Sequence, residues 1–145
     1  MSDIQFYFED VQIPKINQEN IKWNISGLIS NELKDIGEIS IICCSDEYLL
    51  KINEQYLNHN YYTDIITFDY VENSLISGDL FISIDRIKEN AAKFGDSFLK
   101  EFYRVVFHGV LHLIGYKDKT DGEKAQMREK ENFYLAKVDF TEEET

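Results

Sequence analysis

Proline and glycine are scarce in this sequence, with one and seven residues among 145. This scarcity excludes collagen-like and low-complexity chains, which are rich in both residues. Hydrophobic residues make up 43% of the chain and aromatic residues 14%, which is enough to build a core and excludes disorder over the whole length. The length suits one core. We therefore predict a single domain over residues 1–140, followed by an acidic tail at 141–145.

Cysteine is also scarce, because the chain has only Cys43 and Cys44, which are adjacent. Neighbouring side chains of a strand point to opposite faces, so an ordinary structural disulfide between them is disfavoured and we predict reduced thiols. The absence of a Cys-x-x-Cys pair excludes a cysteine-based zinc site. We find neither a signal peptide nor an apolar run as long as a membrane span. These absences predict a cytoplasmic protein without a membrane partner.

Positive charge is the third shortage: 15 Lys and Arg residues stand against 27 Asp and Glu residues, for a formal net charge of −12. Such an excess disfavours nonspecific binding to nucleic acids or anionic lipids. The charge is unevenly distributed, however. Residues 1–85 hold 4 basic and 15 acidic side chains, residues 86–130 hold 10 and 7, and residues 131–145 hold 1 and 5. A phosphate group is therefore expected to bind near residues 86–130.

Hydrophobic periodicity predicts an α+β domain in which a small mixed sheet of about four strands packs with about five helices. A strand, helix and strand at the start of the chain form a crossover, which indicates parallel pairing. Turn signals suggest a Gly78-Asp79 strand start and an Asp85 helix cap. The strands are predicted at 4–8, 38–44, 65–71 and 80–84, and the helices at 18–34, 46–56, 85–94, 98–114 and 121–138.

The helix predicted at 98–114 contains the main candidate functional residues of the sequence. At 100° per residue, Glu101, Arg104, His108 and His112 share a stripe about 80° wide on an otherwise apolar helix. Two histidines four residues apart project from successive turns of one face and can bind one metal ion. That spacing alone is equally compatible with two histidines satisfied in a core. The whole polar stripe favours a cleft or a ligand, because burying four unsatisfied polar groups is costly.

The residue after the first histidine is Gly109, whereas the zinc-peptidase pattern His-Glu-x-x-His has its general base there. The sequence therefore disfavours peptidase chemistry. Because glycine has no side chain, we expect another backbone segment to approach this helix closely at Gly109.

The segment His108–Tyr116, with the sequence HGVLHLIGY, resembles the signature H-G-x-L-H-L-x-G-Y-D-H of the YbeY family of bacterial metal-dependent endoribonucleases. Residues 53–68 resemble the family block N-x-x-Y-R-x-x-D-x-P-T-D-V-L-S-F, and Gly78-Asp79 resembles its Gly-Asp strand start. The resemblance covers about residues 50–120 and implies metal-assisted hydrolysis of single-stranded RNA. It further implies a role in rRNA processing, at the 3′ end of small-subunit 16S rRNA, and in ribosome quality control. Ribosomal subunits are the implied partners, and no DNA substrate is expected.

The chain departs from the family signature at the third metal ligand, where Asp118 replaces a histidine. Because aspartate is a competent ligand, the resemblance implies a metal centre of His108, His112 and Asp118. His59 is the alternative third ligand, and a solvated turn residue is the other interpretation of Asp118. One Zn²⁺ ion is implied by the family. A carboxylate ligand also makes Fe²⁺ or Mn²⁺ a possible occupant, because these ions prefer harder ligands.

A second departure is Leu57, which stands where the family has an arginine associated with catalysis. Leucine cannot bind phosphate. Arg104 precedes His108 by one helical turn and carries a guanidinium suited to phosphate oxygens, so we predict a catalytic set of His108, His112 and Arg104. An ion pair between Arg104 and Glu101 or another nearby acid is equally compatible with the sequence.

Two further interpretations remain open. Leu57 and the acidic surface favour a ribosome-assembly binding factor that keeps a structural metal, and a single metal site would also suit a hydrolase of another substrate. Basic side chains after Tyr116 can follow an RNA backbone, and exposed aromatics can stack on unpaired bases, although solvated and core positions are common for both. The residues in question are Lys117, Lys119, Lys124, Arg128 and Lys130, with Tyr61, Tyr62, Phe94 and Tyr116.

Overall fold

A computed structural model describes residues 3–140, so the predicted acidic tail at 141–145 lies outside the described residues. Within that range the chain forms four strands and five helices, which confirms the predicted α+β class. The strands are β1 (Asp3–Phe8), β2 (Asp35–Cys44), β3 (Ile65–Asp69) and β4 (Leu75–Ser83). The helices are α1 (Gln18–Asn31), α2 (Asp46–Leu57), α3 (Ile84–Phe94), α4 (Phe98–Ile114) and α5 (Asp121–Leu135).

The strands form one mixed sheet, as predicted, and their order is β1-β2-β4-β3. β2 runs parallel to both β1 and β4, and β3 pairs with β4 in the antiparallel sense. Parallel neighbours need a crossover, which α1 provides between β1 and β2. The hairpin of β3 and β4 forms one edge of the sheet.

Strand β4 differs from its prediction, because it begins at Leu75 and contains Gly78 in its interior. A Cβ at Gly78 would lie 2.6 Å from the carbonyl oxygen of Phe68 and 2.7 Å from a methyl carbon of Leu113. The prediction of a strand start at Gly78-Asp79 was therefore wrong. This glycine allows β3 and a helix to approach β4 closely, although its residue type suggested a turn.

Two helix ends also differ from prediction. The cap of α3 is Ser83, whose hydroxyl accepts a hydrogen bond from the backbone N–H of Arg86 at 3.1 Å, and Asp85 lies in the first turn. Helix α1 ends at Asn31, because Leu33 takes a left-handed conformation with φ of 62° and is 90% exposed. Both differences place the true boundary within three residues of the predicted one.

Helix α4 is the central helix of the core. It packs across β3 and β4 and contacts α1, α3 and α5. A Cβ at Gly109 would lie 2.7 Å from Cδ1 of Ile65 and 3.0 Å from Cδ2 of Leu80. Strand side chains therefore make the close approach at Gly109, and not the backbone segment that the sequence predicted.

Both cysteines are reduced and fully buried in β2, as predicted. Burial raises the pKa of the Cys43 thiol and of the Cys44 thiol to about 12. None of the helices in residues 3–140 has the length and apolar character needed to cross a bilayer.

Candidate metal centre

Helix α4 and the loop that follows it bring three ligand atoms together. His108 and His112 project from successive turns of α4, and their Nε2 atoms are 3.1 Å apart. Gly115 ends the helix with φ of 126°, and the chain then returns so that Oδ2 of Asp118 lies 3.2 Å from Nε2 of His108 and 3.5 Å from Nε2 of His112. These atoms form a nearly equilateral triangle.

The triangle fits a metal ion. With bonds of about 2.0–2.1 Å, two ligand atoms of a tetrahedral centre are about 3.3 Å apart. Two facing imidazole nitrogens at 3.1 Å also need a proton or a cation between them, because both carry lone pairs when unprotonated. His108, His112 and Asp118 can therefore hold a divalent ion on one side and leave its other side open.

Glu131 of α5 orients the first of these histidines. Its Oε2 lies 2.7 Å from Nδ1 of His108, and the glutamate is 5% exposed. A carboxylate accepts from an N–H, so Nδ1 carries the proton and Nε2 keeps its lone pair for a metal. Burial acts to lower the pKa of His108, but the hydrogen bond and charge of Glu131, together with the charges of Asp118 and Asp64, outweigh it, and the pKa is raised.

Arg104 is paired with protein groups. One of its terminal guanidinium nitrogens donates to Oε1 of Glu131 and to Oδ1 of Asn132, each at 3.1 Å. The ion pair that the sequence left open is therefore formed, with Glu131 as the partner and not Glu101. Arg104 thus stabilises the carboxylate that orients His108, and its side chain is 17% exposed.

His59 does not join the triangle. It is exposed, and its Nδ1 lies 3.1 Å from the hydroxyl oxygen of Tyr61. Across residues 3–140, the group of acids and histidines close enough to share a metal consists of His108, His112 and Asp118. The geometry therefore favours Asp118 over His59 as the third ligand.

The triangle separates two clefts that share Asp64, His108 and Asp118. The first, which we call the helix cleft, has a volume of about 670 Å³ and lies among α3, α4 and α5. The second, which we call the strand cleft, has a volume of about 500 Å³ and lies between the end of α2, the following loop and β3. A polar stripe facing a cleft is what the sequence predicted for α4, since Glu101 and Arg104 also line the helix cleft.

Leu57 lines the strand cleft at the end of α2 and is 41% exposed. The position at which the family signature has an arginine therefore faces the metal centre from this side. Here it presents an apolar surface.

Sequence reasoning missed Glu131 and Asp64. Glu131 lies in a helix rich in charged residues, where no local pattern separates it from the exposed Glu129. Asp64 belongs to the block that resembles the family, but spacing assigned it no role. Burial raises the pKa of Asp64, and the charge of His108 opposes this effect.

A family model described as endoribonuclease YbeY matches residues 4–139. The chain belongs to the YbeY family. The match includes α4, the loop with Asp118 and α5, so the family covers every residue of the candidate centre.

Relatives and a solved structure agree with this assignment. The endoribonuclease YbeY of Parabacteroides distasonis is 48% identical over 133 residues, which cover 92% of this chain and 94% of that protein. The endoribonuclease YbeY of Bacteroides thetaiotaomicron is 48% identical over 134 residues, covering 92% and 97%. The solution structure of TM1509 from Thermotoga maritima has a TM-score of 0.66 and 28% identity, covering 91% of this chain and 86% of that one. The comparisons therefore favour the enzyme interpretation over that of a binding factor.

Proposed function

We propose that this YbeY-family chain is a metal-dependent endoribonuclease that hydrolyses single-stranded RNA during rRNA processing. The observation that best supports metal-dependent hydrolysis is the triangle of His108, His112 and Asp118 at the junction of two clefts. Family membership supports RNA as the substrate class. The finer role that we propose is maturation of the 16S rRNA 3′ end and ribosome quality control, on ribosomal subunits in the cytoplasm.

The proposed cofactor is one divalent ion, Zn²⁺ in the first place and Fe²⁺ or Mn²⁺ as alternatives. When bound, such an ion polarises a phosphoryl oxygen and lowers the pKa of coordinated water. Glu131 holds the proton on Nδ1 of His108 and so keeps Nε2 in its ligand form. Asp64 lines both clefts and can accept a hydrogen bond from the attacking water.

Arg104 remains our candidate for offsetting charge on the phosphate. A guanidinium has five N–H donors, and both protein contacts of Arg104 use the same terminal nitrogen. Its place beside His108 in the helix cleft suits a non-bridging phosphate oxygen. Leu57, on the side of the strand cleft, cannot bind a phosphate oxygen because its side chain is apolar.

The two clefts suit cleavage within a strand. A phosphate at the triangle has one cleft on each side, so nucleotides before and after it both have room. An enzyme restricted to chain ends would need only one such cleft.

The experiment incubates metal-loaded protein with single-stranded RNA carrying the immature 16S rRNA 3′ end. A chelator-treated sample and the variants His108→Ala and His112→Ala serve as controls. We expect substoichiometric enzyme to cleave the RNA only in the metal-loaded wild type. Intact RNA in every sample, even with small ribosomal subunits present, would contradict the proposal and favour an assembly factor. Parallel assays with uncharged ester and peptide substrates test for a hydrolase of another class.

Metal content tests the ligand set separately. We expect purified Asp118→Ala to bind well under half of the wild-type amount of zinc, and His59→Ala to bind the wild-type amount. The reverse result would assign His59 as the third ligand.

A further inference from the structure

The helix cleft contains a buried carboxylate that the metal centre does not use. Glu101 is 5% exposed and lines the cleft two turns before His108 on α4. Its side-chain oxygens make no hydrogen bond with other residues of the 3–140 range. Burial raises the pKa of Glu101, and the charge of Arg104 opposes this effect. A buried carboxylate normally has hydrogen-bond donors around it. Because the protein does not enclose its carboxylate oxygens, they face the cleft, where a ligand can supply donors.

The rim of the same cleft carries an exposed aromatic ring, Phe94, and Nζ of Lys93 lies over that ring at 5.7 Å from its centroid. Phe94 ends α3, lines the cleft and is 59% exposed. Unpaired RNA bases stack on exposed aromatic rings. A flat ring and a buried acceptor thus lie on one concave surface.

Cations border this surface as well. Lys124 and Arg128 of α5 line the cleft and are exposed. A terminal guanidinium nitrogen of Arg128 lies 3.6 Å from Oε1 of Glu131 in an ion pair, and 59% of the Arg128 side chain is exposed. Lysine and arginine at a rim suit the phosphates that flank a stacked base. The volume of about 670 Å³ is in the range of small-molecule sites and accommodates a nucleotide.

We propose that the helix cleft is a guanine-binding subsite for the nucleotide next to the scissile phosphate, with Glu101 as its specificity-determining residue. The Glu101 carboxylate accepts hydrogen bonds from N1–H and the 2-amino group of guanine, while Phe94 stacks on the base. This inference rests on the proposed function, because the subsite opens beside the residues that would hold the metal ion acting on the phosphate.

The choice of guanine follows from the donor pattern of the bases. An ionised carboxylate offers only acceptors. Guanine alone presents two neighbouring donors on its Watson–Crick edge. Adenine and cytosine pair one amino donor with a ring nitrogen acceptor, and uracil flanks its one donor with two carbonyl acceptors. Each of those three bases would place an acceptor against the carboxylate.

The test measures binding of nucleoside 5′-monophosphates to the full-length zinc-loaded chain by NMR. Backbone amide shifts are followed during titration with GMP, IMP, AMP, CMP and UMP, which share the phosphate and differ in the base. We expect GMP to bind about tenfold more tightly than IMP, which lacks the 2-amino group, because a hydrogen bond to a charged group is lost. The shifts should map to α3, α4 and α5 around Glu101.

Variants separate recognition from folding. Glu101→Gln should abolish the preference for GMP over IMP, and Phe94→Ala should weaken binding of all five nucleotides. Glu129→Gln removes the same charge at an exposed position of α5 outside the cleft and should behave as wild type. An unchanged base ranking in Glu101→Gln would overturn the assignment, as would shifts that map away from the helix cleft.

Cleavage of RNA by the same preparation distinguishes this inference from the proposed function. Cleavage together with equal affinities for the five nucleotides would overturn the guanine subsite and leave the nuclease proposal intact. A preference for GMP without any RNA cleavage would support the subsite and contradict the nuclease.

Discussion

Replacing Glu131 by glutamine is expected to weaken zinc binding about 10- to 100-fold, which is the usual effect of losing a carboxylate behind a metal-binding histidine. Glu131 accepts from Nδ1 of His108 at 2.7 Å and from Arg104 at 3.1 Å. A glutamine side chain has the same size but offers one oxygen and one NH₂ group. When its NH₂ faces His108, the proton moves to Nε2, and that tautomer cannot bind a metal.

The same substitution is expected to destabilise the metal-free protein. Removing one partner of a buried ion pair costs about 3–5 kcal/mol when the other charge is left unpaired. Arg104 keeps its hydrogen bond to Asn132, and glutamine still accepts one bond, so we expect a loss of about 1–3 kcal/mol. The variant should therefore fold at room temperature, which makes its metal affinity measurable.

Competition with a chromophoric zinc chelator measures the affinity, and thermal unfolding followed by circular dichroism measures the stability. Glu129→Gln is the matched control, because it removes the same charge from an exposed position two residues earlier in α5. A folded Glu131→Gln protein with zinc affinity within twofold of wild type would refute the reasoning that Glu131 sets the tautomer of His108.

Three further predictions concern the scaffold. The pKa of Glu32 is lowered, because hydrogen bonds from two tyrosines and a lysine outweigh its burial. The stability difference between wild type and Glu32→Gln in urea unfolding should therefore be full at neutral pH and shrink as the pH falls below about 4.5. A difference that does not depend on pH would contradict this. Gly109→Ala should lower the free energy of unfolding by at most about 2 kcal/mol in the same assay. The added Cβ would lie 2.7 Å from Cδ1 of Ile65, while alanine gains about 1 kcal/mol of helix propensity over glycine. A larger loss would show that the neighbouring side chains cannot move aside. Cys43 and Cys44 should resist a thiol reagent in the folded protein and both react in urea, because burial raises their pKa values to about 12; fast labelling of the folded protein would argue against their burial.

Local sequence was sufficient to predict that the two histidines lie together. His108 and His112 share a face because the helical repeat places residues four apart above one another. Gly115 ends the helix, so the loop that follows can place Asp118 beside the two histidines. The polar stripe on an apolar helix required a cleft for the same local reason. Each of these features depends on neighbours within a few turns of chain.

The boundaries that local reasoning misplaced lie where packing overrides residue preference. Gly78 has the residue type of a turn, but β4 continues through it because β3 and Leu113 approach there. Ser83 and Asp85 are both good caps, and the end of β4 decided between them. Sequence periodicity does not say which strand or helix packs against a given residue.

The sequence by itself determined the α+β class and the helix that places His108 and His112 on one face, because these follow from periodicity and short spacings. The resemblance to the family pointed to Asp118 as the third residue. Only the tertiary structure decided the surroundings of that centre. Packing of α5 against α4 delivers Glu131 to His108 and pairs it with Arg104, and the β3 edge delivers Asp64 to both clefts. These contacts join residues more than 20 positions apart, and their formation depends on how whole elements pack.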